Sequence, residues 1–217
     1  MADDPRRRYR ELLEQSLSVD DPTGWFDRLY AEAESGRAAV PWDRHAPHPL
    51  LAMWAQSRAG SGRALVVGCG CGDDAEPVAA LGFDTVAFDV SPAAIRAARE
   101  RYPSSTVDYQ VADLFDPPAA WHHAFDLVVE VYTVQALPLE HHARAIDAIA
   151  SFTRGTLVVI AFARPDDEEL TGLPPWPLTR AEIDSFARNG LRPVSVTLAQ
   201  PHWLAEFTRT VSPAPRA

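Results

Sequence analysis

The chain has 217 residues, 47% of them hydrophobic, which is enough for one well-buried core and too little for two. Its formal net charge of -10 offers no attraction to a phosphate backbone, so we expect no nucleic-acid partner. No apolar stretch approaches the roughly 20 residues of a membrane span, and residues 1–10 are charged where a signal peptide is apolar. The sequence therefore predicts one domain over residues 1–217, a cytoplasmic location and no membrane partner.

Two residue types limit the chemistry that the chain can perform. Every basic side chain is an arginine and none is a lysine, which excludes a Schiff-base lysine and a lysine general base. The only cysteines, Cys69 and Cys71, stand one residue apart, a spacing that fits neither a disulfide framework nor a zinc site. The pairs His122–His123 and His141–His142 lack metal-ligand spacing, and we expect them at solvent-facing helix ends. No metal site is predicted.

In chain order, the first quarter of the sequence predicts helices. Residues 4–56 contain two or three helical stretches around an irregular segment, Gly36 to Pro49, that can cover the edge of a sheet as a lid. From residue 63 onward, β-branched runs alternate with alanine-rich amphipathic stretches, which is typical of a parallel sheet with helices on both faces. The predicted fold is α/β: a Rossmann-like, seven-stranded, mostly parallel sheet over residues 61–217, behind an N-terminal helical lid over residues 1–60.

Local signals give the bounds of the elements in this core. Ser91 and Pro92 form an N-cap and first-turn pair that begins a helix. Thr179 and Glu182 form a capping box, and Gly155 is expected to end a helix. The predicted helices cover residues 74–81, 91–101, 139–152 and 179–190. The predicted strands cover residues 64–67, 85–88, 107–111, 125–131, 156–163, 194–198 and 203–210, the last two as a hairpin.

The strongest functional signal is a glycine-rich loop between the first strand and the helix after it. The loop, Gly68 to Asp73, reads G-C-G-C-G-D, and its glycines permit a positive φ and let a ligand approach bare backbone. A dinucleotide-binding loop reads G-x-G-x-x-G instead and places a helix N-terminus at a pyrophosphate. Here an acid follows the third glycine, which repels a pyrophosphate and suits a ligand with a cationic amino acid end, such as S-adenosylmethionine.

Two acidic residues at the ends of the next strands extend this signal. Asp89 ends the second strand about 20 residues beyond the loop, where a carboxylate accepts hydrogen bonds from both ribose hydroxyls. Asp113 ends the third strand, where its carboxylate can take an adenine amino group while Ala112 and Leu114 sandwich the ring. Asp89 alone does not separate a methyl donor from a nicotinamide cofactor. The three signals in this order indicate an adenosyl ligand.

These three elements resemble class I S-adenosylmethionine-dependent methyltransferases from about residue 60 to the end. Two further patterns resemble the thiopurine S-methyltransferase family and its bacterial thiol and halide methyltransferase relatives. They are Trp25 to Tyr30 followed by Val40-Pro41-Trp42-Asp43, and the later Gly172-Leu173-Pro174-Pro175-Trp176. The resemblance spans about residues 22–210. It implies an enzyme that moves a methyl group from S-adenosylmethionine to a small-molecule acceptor.

The resemblance also implies which residues contact the donor. Trp25 and Trp42 would belong to the lid, and the glycine loop would hold the methionine part. Glu130 and Val131, which end the fourth strand, would lie beside the sulfonium. The predicted donor-binding residues are Trp25, Trp42, Gly68, Cys69, Gly70, Gly72, Asp89, Val90, Ala112, Asp113, Leu114, Glu130 and Val131. Thiopurine-type relatives often have an Asp-Arg pair after the fourth strand where this chain has residues 130–133, so their acceptor specificity is not carried over.

The predicted acceptor is a thiol, because a thiol pKa of about 8.5 gives some thiolate at neutral pH without a base. Phenols, with a pKa of about 10, gain from a positioned base. The sequence offers Asp43, His45, Glu130 and Tyr132 for this role. Of these we favour Glu130 and His45, with Tyr132 as a further candidate catalytic residue. Residues 164–169 either border the acceptor or form a solvated loop.

Other functions stay open at this point. The acceptor chemistry can instead be O- or N-methylation of a small aromatic metabolite, and a non-catalytic nucleoside-binding protein would share the same donor site. A nicotinamide-dependent oxidoreductase would also have Asp89, but it requires the G-x-G-x-x-G loop and a tyrosine and lysine pair, and the chain has no lysine. The predicted oligomeric state is a monomer or a homodimer.

Overall fold

The computed structural model describes residues 5–19, 21–168, 170 and 174–209. Within these residues the helices are α1 Pro5–Leu17, α2 Gly24–Glu34, α3 Pro49–Ala55, α4 Ala75–Ala80, α5 Pro92–Arg101, α6 Leu139–Phe152 and α7 Arg180–Asp184. The strands are β1 Arg63–Val67, β2 Asp84–Asp89, β3 Asp108–Val111, β4 Phe125–Val131, β5 Thr153–Phe162, β6 Leu191–Ala199 and β7 His202–Arg209. Two short 3-10 turns cover Ala119–Trp121 and Val134–Ala136.

The strands form one sheet in the order β3-β2-β1-β4-β5-β7-β6. Strands β1 to β5 are parallel, whereas β7 runs antiparallel to both β5 and β6. Val67 at the end of β1 is in register with Phe88 of β2 and with Glu130 of β4. The strands that follow β1 in the chain, β2 and β3, lie on one side of it, and β4 and β5 lie on the other side. A parallel sheet opens a binding crevice at its carboxyl edge where the strand order reverses in this way. The predicted fold class is confirmed.

Two apolar layers cover the sheet because its central strands are buried on both faces. Every residue of β1 after Arg63 is buried, as a continuous apolar strand of a parallel sheet requires. One layer packs α6 and α7 against the sheet through Phe152 and Ile183. The other packs α3, α4 and α5 through residues such as Val78 and Ile95. Within the described part of the chain, no helix is both long enough and apolar enough to span a bilayer.

Helices α1 and α2 form a third apolar cluster, in which Leu13 and Leu29 are completely buried. A carboxylate fixes this cluster to the core. The Asp27 Oδ1 atom of α2 accepts hydrogen bonds from Ser91 Oγ at 2.8 Å and from Ala93 N at 2.9 Å. Asp27 thereby satisfies one backbone donor, Ala93 N, at the N-terminus of α5, where a negative charge is also favourable.

Most predicted elements are confirmed, and β4 and α6 have the predicted bounds. Ser91 caps α5 through a 3.0 Å hydrogen bond from Ala94 N to its Oγ, and Thr179 and Glu182 form the predicted capping box. The predicted ends at residues 4 and 210, and residues 169, 172 and 173 of the quoted segments, lie outside the described residues.

Three predicted bounds differ from the structure by three residues or more. Strand β6 begins at Leu191 and not at residue 194. Strand β5 begins at Thr153, so Gly155 lies inside a strand and does not end a helix. The cause is a close approach of neighbouring strands, because a Cβ on Gly155 would lie 2.4 Å from the Asp126 carbonyl oxygen. Helix α7 ends at Asp184 and not at residue 190.

The expectation that His142 faces solvent is also wrong. Its Nδ1 lies 2.8 Å from Glu182 Oε1, and its Nε2 lies 2.9 Å from the Leu137 carbonyl oxygen, so this buried histidine joins α6 to the cap of α7. Arg164 donates to Glu182 Oε2 at 3.3 Å, which attaches the residue after β5 to the same cap.

Candidate active site

The loop between β1 and α4 brings bare backbone to the carboxyl edge of the sheet. Gly68, Gly70 and Gly72 have φ values of 58°, 51° and 90°, which confirms the predicted left-handed conformations. Two features disfavour a side chain at Gly70. Its positive φ strains any other residue, and a Cβ there would lie 2.7 Å from Tyr30 Oη. Helix α2 therefore rests directly on the loop.

Asp89 joins the end of β2 to this loop. Its Oδ2 accepts a hydrogen bond from Gly70 N and its Oδ1 accepts one from Ser91 N, both at 2.9 Å. Burial raises the pKa of Asp89, and these N–H donors oppose that rise. Each carboxylate oxygen has a second lone pair, so Asp89 can still accept a hydrogen bond from a ligand in the neighbouring cavity that it borders.

Asp113 lies two residues after β3, at the same edge. Its Oδ1 accepts a hydrogen bond from Phe115 N at 2.8 Å. The side chain is exposed and lines the cavity together with Ala112 and Leu114. A hydrogen-bond acceptor thus stands between two apolar residues, an arrangement that suits a heteroaromatic ring with an amino group.

The cavity at this edge has a volume of about 790 Å³. Small-molecule sites typically measure about 300–1,000 Å³. Because the strand order is β3-β2-β1-β4-β5, Asp113 after β3 and Phe162 at the end of β5 mark its two ends, with Gly68 between them. The end near Phe162 is largely apolar and includes Val131 and Leu137. The two acids that line the cavity, Asp89 and Asp113, thus lie where β2 and β3 end, whereas Phe162 lies on the other side of β1.

Aromatic side chains from the N-terminal helices cover the cavity. Tyr9, Trp25, Tyr30 and Trp42 all line it. The Trp42 indole donates a hydrogen bond to Tyr30 Oη at 2.8 Å, and the Trp25 and Trp42 rings meet edge to face at 5.8 Å. Tyr9 Oη donates to the carbonyl oxygen of Pro174, which links α1 to the loop before α7. Two segments that are distant in sequence thus close over the same space.

Glu130 is completely buried and does not line the cavity. Its Oε1 accepts hydrogen bonds from Thr133 N at 2.7 Å and Val134 N at 3.0 Å, whereas its Oε2 has no hydrogen-bond partner among the described residues. Burial raises the pKa of Glu130 to about 7, although the two N–H donors oppose the rise. This placement argues against Glu130 as a base that touches the acceptor.

Asp43 and His45 also lie outside the cavity lining. Asp43 forms a two-pronged ion pair with Arg101, at 2.7 and 2.8 Å, which holds the pKa of Asp43 below its usual value. The His45 side chain is 76% exposed. Neither candidate base therefore lines the cavity, although Trp42 and Arg44 beside them do. Arg101 also binds Asp73, so its ion pair attaches Asp43 to the glycine loop.

A tyrosine and two histidines meet where β4 ends. Tyr132 Oη lies 2.8 Å from His48 Nε2 and 2.5 Å from His202 Nε2. Tyr132 lines the cavity, and its ring stacks on Phe162 with a 5.0 Å centroid distance and a 6° interplanar angle. The sequence identifies Tyr132 but neither histidine, since only the antiparallel return of β7 beside β5 brings the three residues together.

Residues 64–155 match the family model described as a methyltransferase domain. This segment contains the glycine loop, Asp89, Asp113 and the end of β4, so the match covers the polar part of the cavity. Together with the strand order, this match assigns the segment. Residues 64–155 form a methyltransferase domain.

Known proteins similar to this methyltransferase domain include a relative called probable thiol methyltransferase 2 from Arabidopsis thaliana. It is 27% identical over 124 residues, which cover 56% of this chain and 52% of the relative. The chain thus matches about half the length of that curated relative.

Two solved structures share the fold. One, from work on the conversion of a disulfide bond into a thioacetal group during echinomycin biosynthesis, has a TM-score of 0.65 at 22% identity and covers 84% of this chain and 92% of its own. The other is the N-methyltransferase NodS from Bradyrhizobium japonicum in complex with S-adenosyl-L-homocysteine, with a TM-score of 0.63 at 20% identity, covering 84% of this chain and 98% of its own. At these identities the likeness shows the fold alone.

The residues of this methyltransferase domain fit S-adenosylmethionine. Asp89 keeps lone pairs for ribose hydroxyls, and Asp113 keeps one oxygen for an adenine amino group. Gly68 presents bare backbone, since a Cβ there would meet Thr133 Oγ1 at 2.5 Å. The predicted donor-binding residues that line the cavity are Trp25, Trp42, Gly68, Asp89, Val90, Ala112, Asp113, Leu114 and Val131. Those that do not line it are Cys69, Gly70, Gly72 and Glu130.

The cysteines of the loop are structural. Burial raises the pKa of Cys71 to about 12 and that of Cys69 well above its usual value, so neither thiol ionises near neutral pH. Gln135 and Phe162 also line the cavity but were not predicted from the sequence, because a glutamine in a short turn and a phenylalanine at a strand end carry no spacing signal.

Proposed function

We propose that the chain transfers the methyl group of S-adenosylmethionine to a small-molecule thiol. The observation that carries this proposal is one cavity whose acids, Asp89 and Asp113, lie where β2 and β3 end, while Val131, Leu137 and Phe162 line it elsewhere. An adenosyl donor would occupy the donor part, around the two acids. The rest of the cavity is then left for the acceptor, and a total volume of about 790 Å³ suits a metabolite and not a polymer.

Asp89 would bind the ribose, Asp113 would bind the adenine, and Gly68 would let the methionine part approach the backbone. Val131 would lie beside the sulfonium. When bound, S-adenosylmethionine supplies a methyl group that is already activated on a positive sulfur. The protein therefore has mainly to align two reactants and exclude water.

We also propose that residues 1–60 act as a lid over this site. Two contacts support this role. The hydrogen bond from Trp42 to Tyr30 joins two parts of the N-terminal segment, and the hydrogen bond from Tyr9 to Pro174 joins this segment to the loop before α7. A lid of this kind must open for the acceptor to enter and for product to leave.

The polarity of the cavity favours a thiol over an amine. A protonated amine needs an acceptor or a carboxylate, and the acids that line the cavity, Asp89 and Asp113, belong to the donor part. A neutral thiol is weakly hydrated, so an apolar wall can hold it without a counter-ion. The Arabidopsis relative named as a probable thiol methyltransferase supports the same choice. Phenols are the second candidate, since Tyr132 with its two histidines offers a proton acceptor.

The test is a turnover screen with matched panels of thiols, phenols and primary amines, read by formation of S-adenosylhomocysteine. We expect turnover with thiols and a higher kcat/KM for apolar than for charged ones. Asp84→Ala, at the opposite end of β2 from Asp89, serves as a control variant with an intact site. Turnover confined to amines would contradict the thiol assignment, and binding of the donor without turnover of any panel member would contradict the enzyme assignment.

A further inference from the structure

Tyr132, His48 and His202 form a cluster whose hydrogen bonds determine which atoms carry its protons. His48 Nδ1 accepts a hydrogen bond from Leu50 N at 3.2 Å, as the N-cap of α3. A neutral imidazole has one N–H, so the His48 proton is on Nε2 and is donated to Tyr132 Oη. The Tyr132 hydroxyl then donates its own proton to His202 Nε2, over 2.5 Å. His202 therefore carries its proton on Nδ1.

The surroundings keep all three groups neutral near neutral pH. Burial lowers the pKa of His48 to about 4, with the charges of His202 and Arg44 acting in the same direction. Burial also lowers the pKa of His202, again with help from Arg44. Burial raises the pKa of Tyr132 to about 12; Arg44 opposes this rise, and the charges on Asp74 and Glu130 add to it.

The backbone holds Tyr132 in place at the cavity. Its φ of 67° lies in the left-handed region, which a non-glycine residue adopts only when its surroundings impose it. Tyr132 N donates to the Ile160 carbonyl oxygen at 3.0 Å, and Thr133 Oγ1 donates to the Val67 carbonyl oxygen at 3.0 Å. The residue is thus fixed between β1 and β5, beside the place proposed for the sulfonium.

We propose that Tyr132 accepts the proton of the methyl acceptor and passes its own proton to His202, while His48 positions the hydroxyl. This inference rests on the proposed function, because it concerns the proton that a thiol or phenol must lose. Tyr132 is then a catalytic residue, and His48 and His202 are positioning and proton-accepting residues that act through it.

For a thiol acceptor, two protons and the methyl group move in the proposed step. The S–H bond of the acceptor breaks, its proton binds Tyr132 Oη, and the Tyr132 proton moves to His202 Nε2. The acceptor sulfur keeps the electron pair and forms its bond to the methyl carbon, while the carbon–sulfur bond of the sulfonium breaks and leaves its electron pair on that sulfur. The half-buried His202 imidazolium then releases one proton to solvent.

The size of the effect depends on how acidic the acceptor is. A thiol with a pKa of about 8.5 is only about 3% ionised near pH 7, so a relay that ionises it can raise kcat/KM by at most about 30-fold. A thiol that is already ionised gains nothing. A purely structural role for Tyr132 would instead affect all acceptors alike.

The kinetic test measures kcat/KM for a series of thiols of graded pKa in the wild type, Tyr132→Phe and His202→Gln. Glutamine keeps a hydrogen-bond acceptor for the tyrosine but cannot take a proton, which separates proton transfer from packing. We expect the loss of kcat/KM in both variants to increase with the pKa of the thiol, up to about 30-fold for a pKa of about 8.5. His122→Gln, an exposed histidine, is the control.

A second measurement reads the protons directly. Nitrogen-15 NMR of the protein bound to S-adenosylhomocysteine should show His48 protonated at Nε2 and His202 at Nδ1, both neutral near pH 7. The opposite tautomers, or an equal loss of kcat/KM for every thiol, would overturn the relay while leaving methyl transfer intact. No turnover of any acceptor by the wild type would instead contradict the proposed function, and the relay with it.

Discussion

Glu130 places a carboxyl group inside the core, and its titration gives a quantitative test of the site. Burial raises its pKa from 4.5 to about 7, so the folded state binds a proton that the unfolded state has already released over this range. The stabilising contribution of the protonated form is present at low pH and is lost as the pH rises through about 7. At 1.36 kcal/mol per pKa unit, the full loss is about 3 kcal/mol, most of it between about pH 5 and 8.

Glu130→Gln should remove this dependence. The amide stays neutral and keeps an oxygen for the hydrogen bonds from Thr133 N and Val134 N. Urea unfolding at several pH values should therefore show the variant gaining about 2.5 kcal/mol relative to the wild type between about pH 5 and 8. The control is Glu140→Gln on the exposed start of α6, which makes the same chemical change outside the core. A Glu130→Gln difference that stays constant with pH would refute the account of a buried, unpaired Oε2.

Three further predictions concern the donor site. Asp89→Ala should weaken S-adenosylmethionine binding by roughly 1–3 kcal/mol, or about 5- to 150-fold in Kd, because a charge-assisted hydrogen bond is lost; titration calorimetry measures it. Gly70→Ala should lower both Tm and donor affinity, since it strains the backbone and places Cβ against Tyr30 Oη. Trp42→Phe removes the indole donor to Tyr30 and should speed donor release in stopped-flow fluorescence, with about 1 kcal/mol of lost stability.

Each of these predictions has a matched control. Asp84→Ala lies on the same strand as Asp89 and should leave donor affinity unchanged. Gly36→Ala shares the positive φ of Gly70 but has nothing within 4 Å of the added Cβ, so it separates strain from contact. Trp54→Phe loses a hydrogen bond to Glu206 outside the cavity. Equal effects in the control and test variants would count against the assignment concerned.

The parts of the fold that could be predicted from sequence depend on local physics. The Ser91 cap, the Thr179 capping box and the bounds of α6 follow from residues that contact each other within one turn. The start of β5 was predicted wrongly because Gly155 reads as a helix stop, whereas its actual role, a close backbone approach to β4, depends on the neighbouring strand. The burial of His142 likewise depends on Glu182, a partner 40 residues away.

The donor part of the site was more predictable than the acceptor part for the same reason. Gly68, Asp89 and Asp113 follow consecutive strands, so parallel topology alone brings them to one edge. The acceptor part combines Tyr132 with two histidines from α3 and β7, and no sequence spacing relates them. His45 and Glu130 are the residue types that such chemistry uses, but neither side chain lines the cavity, although neighbours of both residues do. The Glu130 side chain instead accepts a hydrogen bond from Thr133 N inside the core.

Calorimetric titration of the protein with S-adenosylmethionine and, separately, with NAD tests the central claim most directly. If the glycine loop, Asp89 and Asp113 form one adenosyl sulfonium site, the methyl donor binds with one molecule per chain, NAD gives no heat of binding, and Asp89→Ala loses affinity as given above. Saturable binding of NAD, or S-adenosylmethionine binding that is the same in the wild type and Asp89→Ala, would contradict the account.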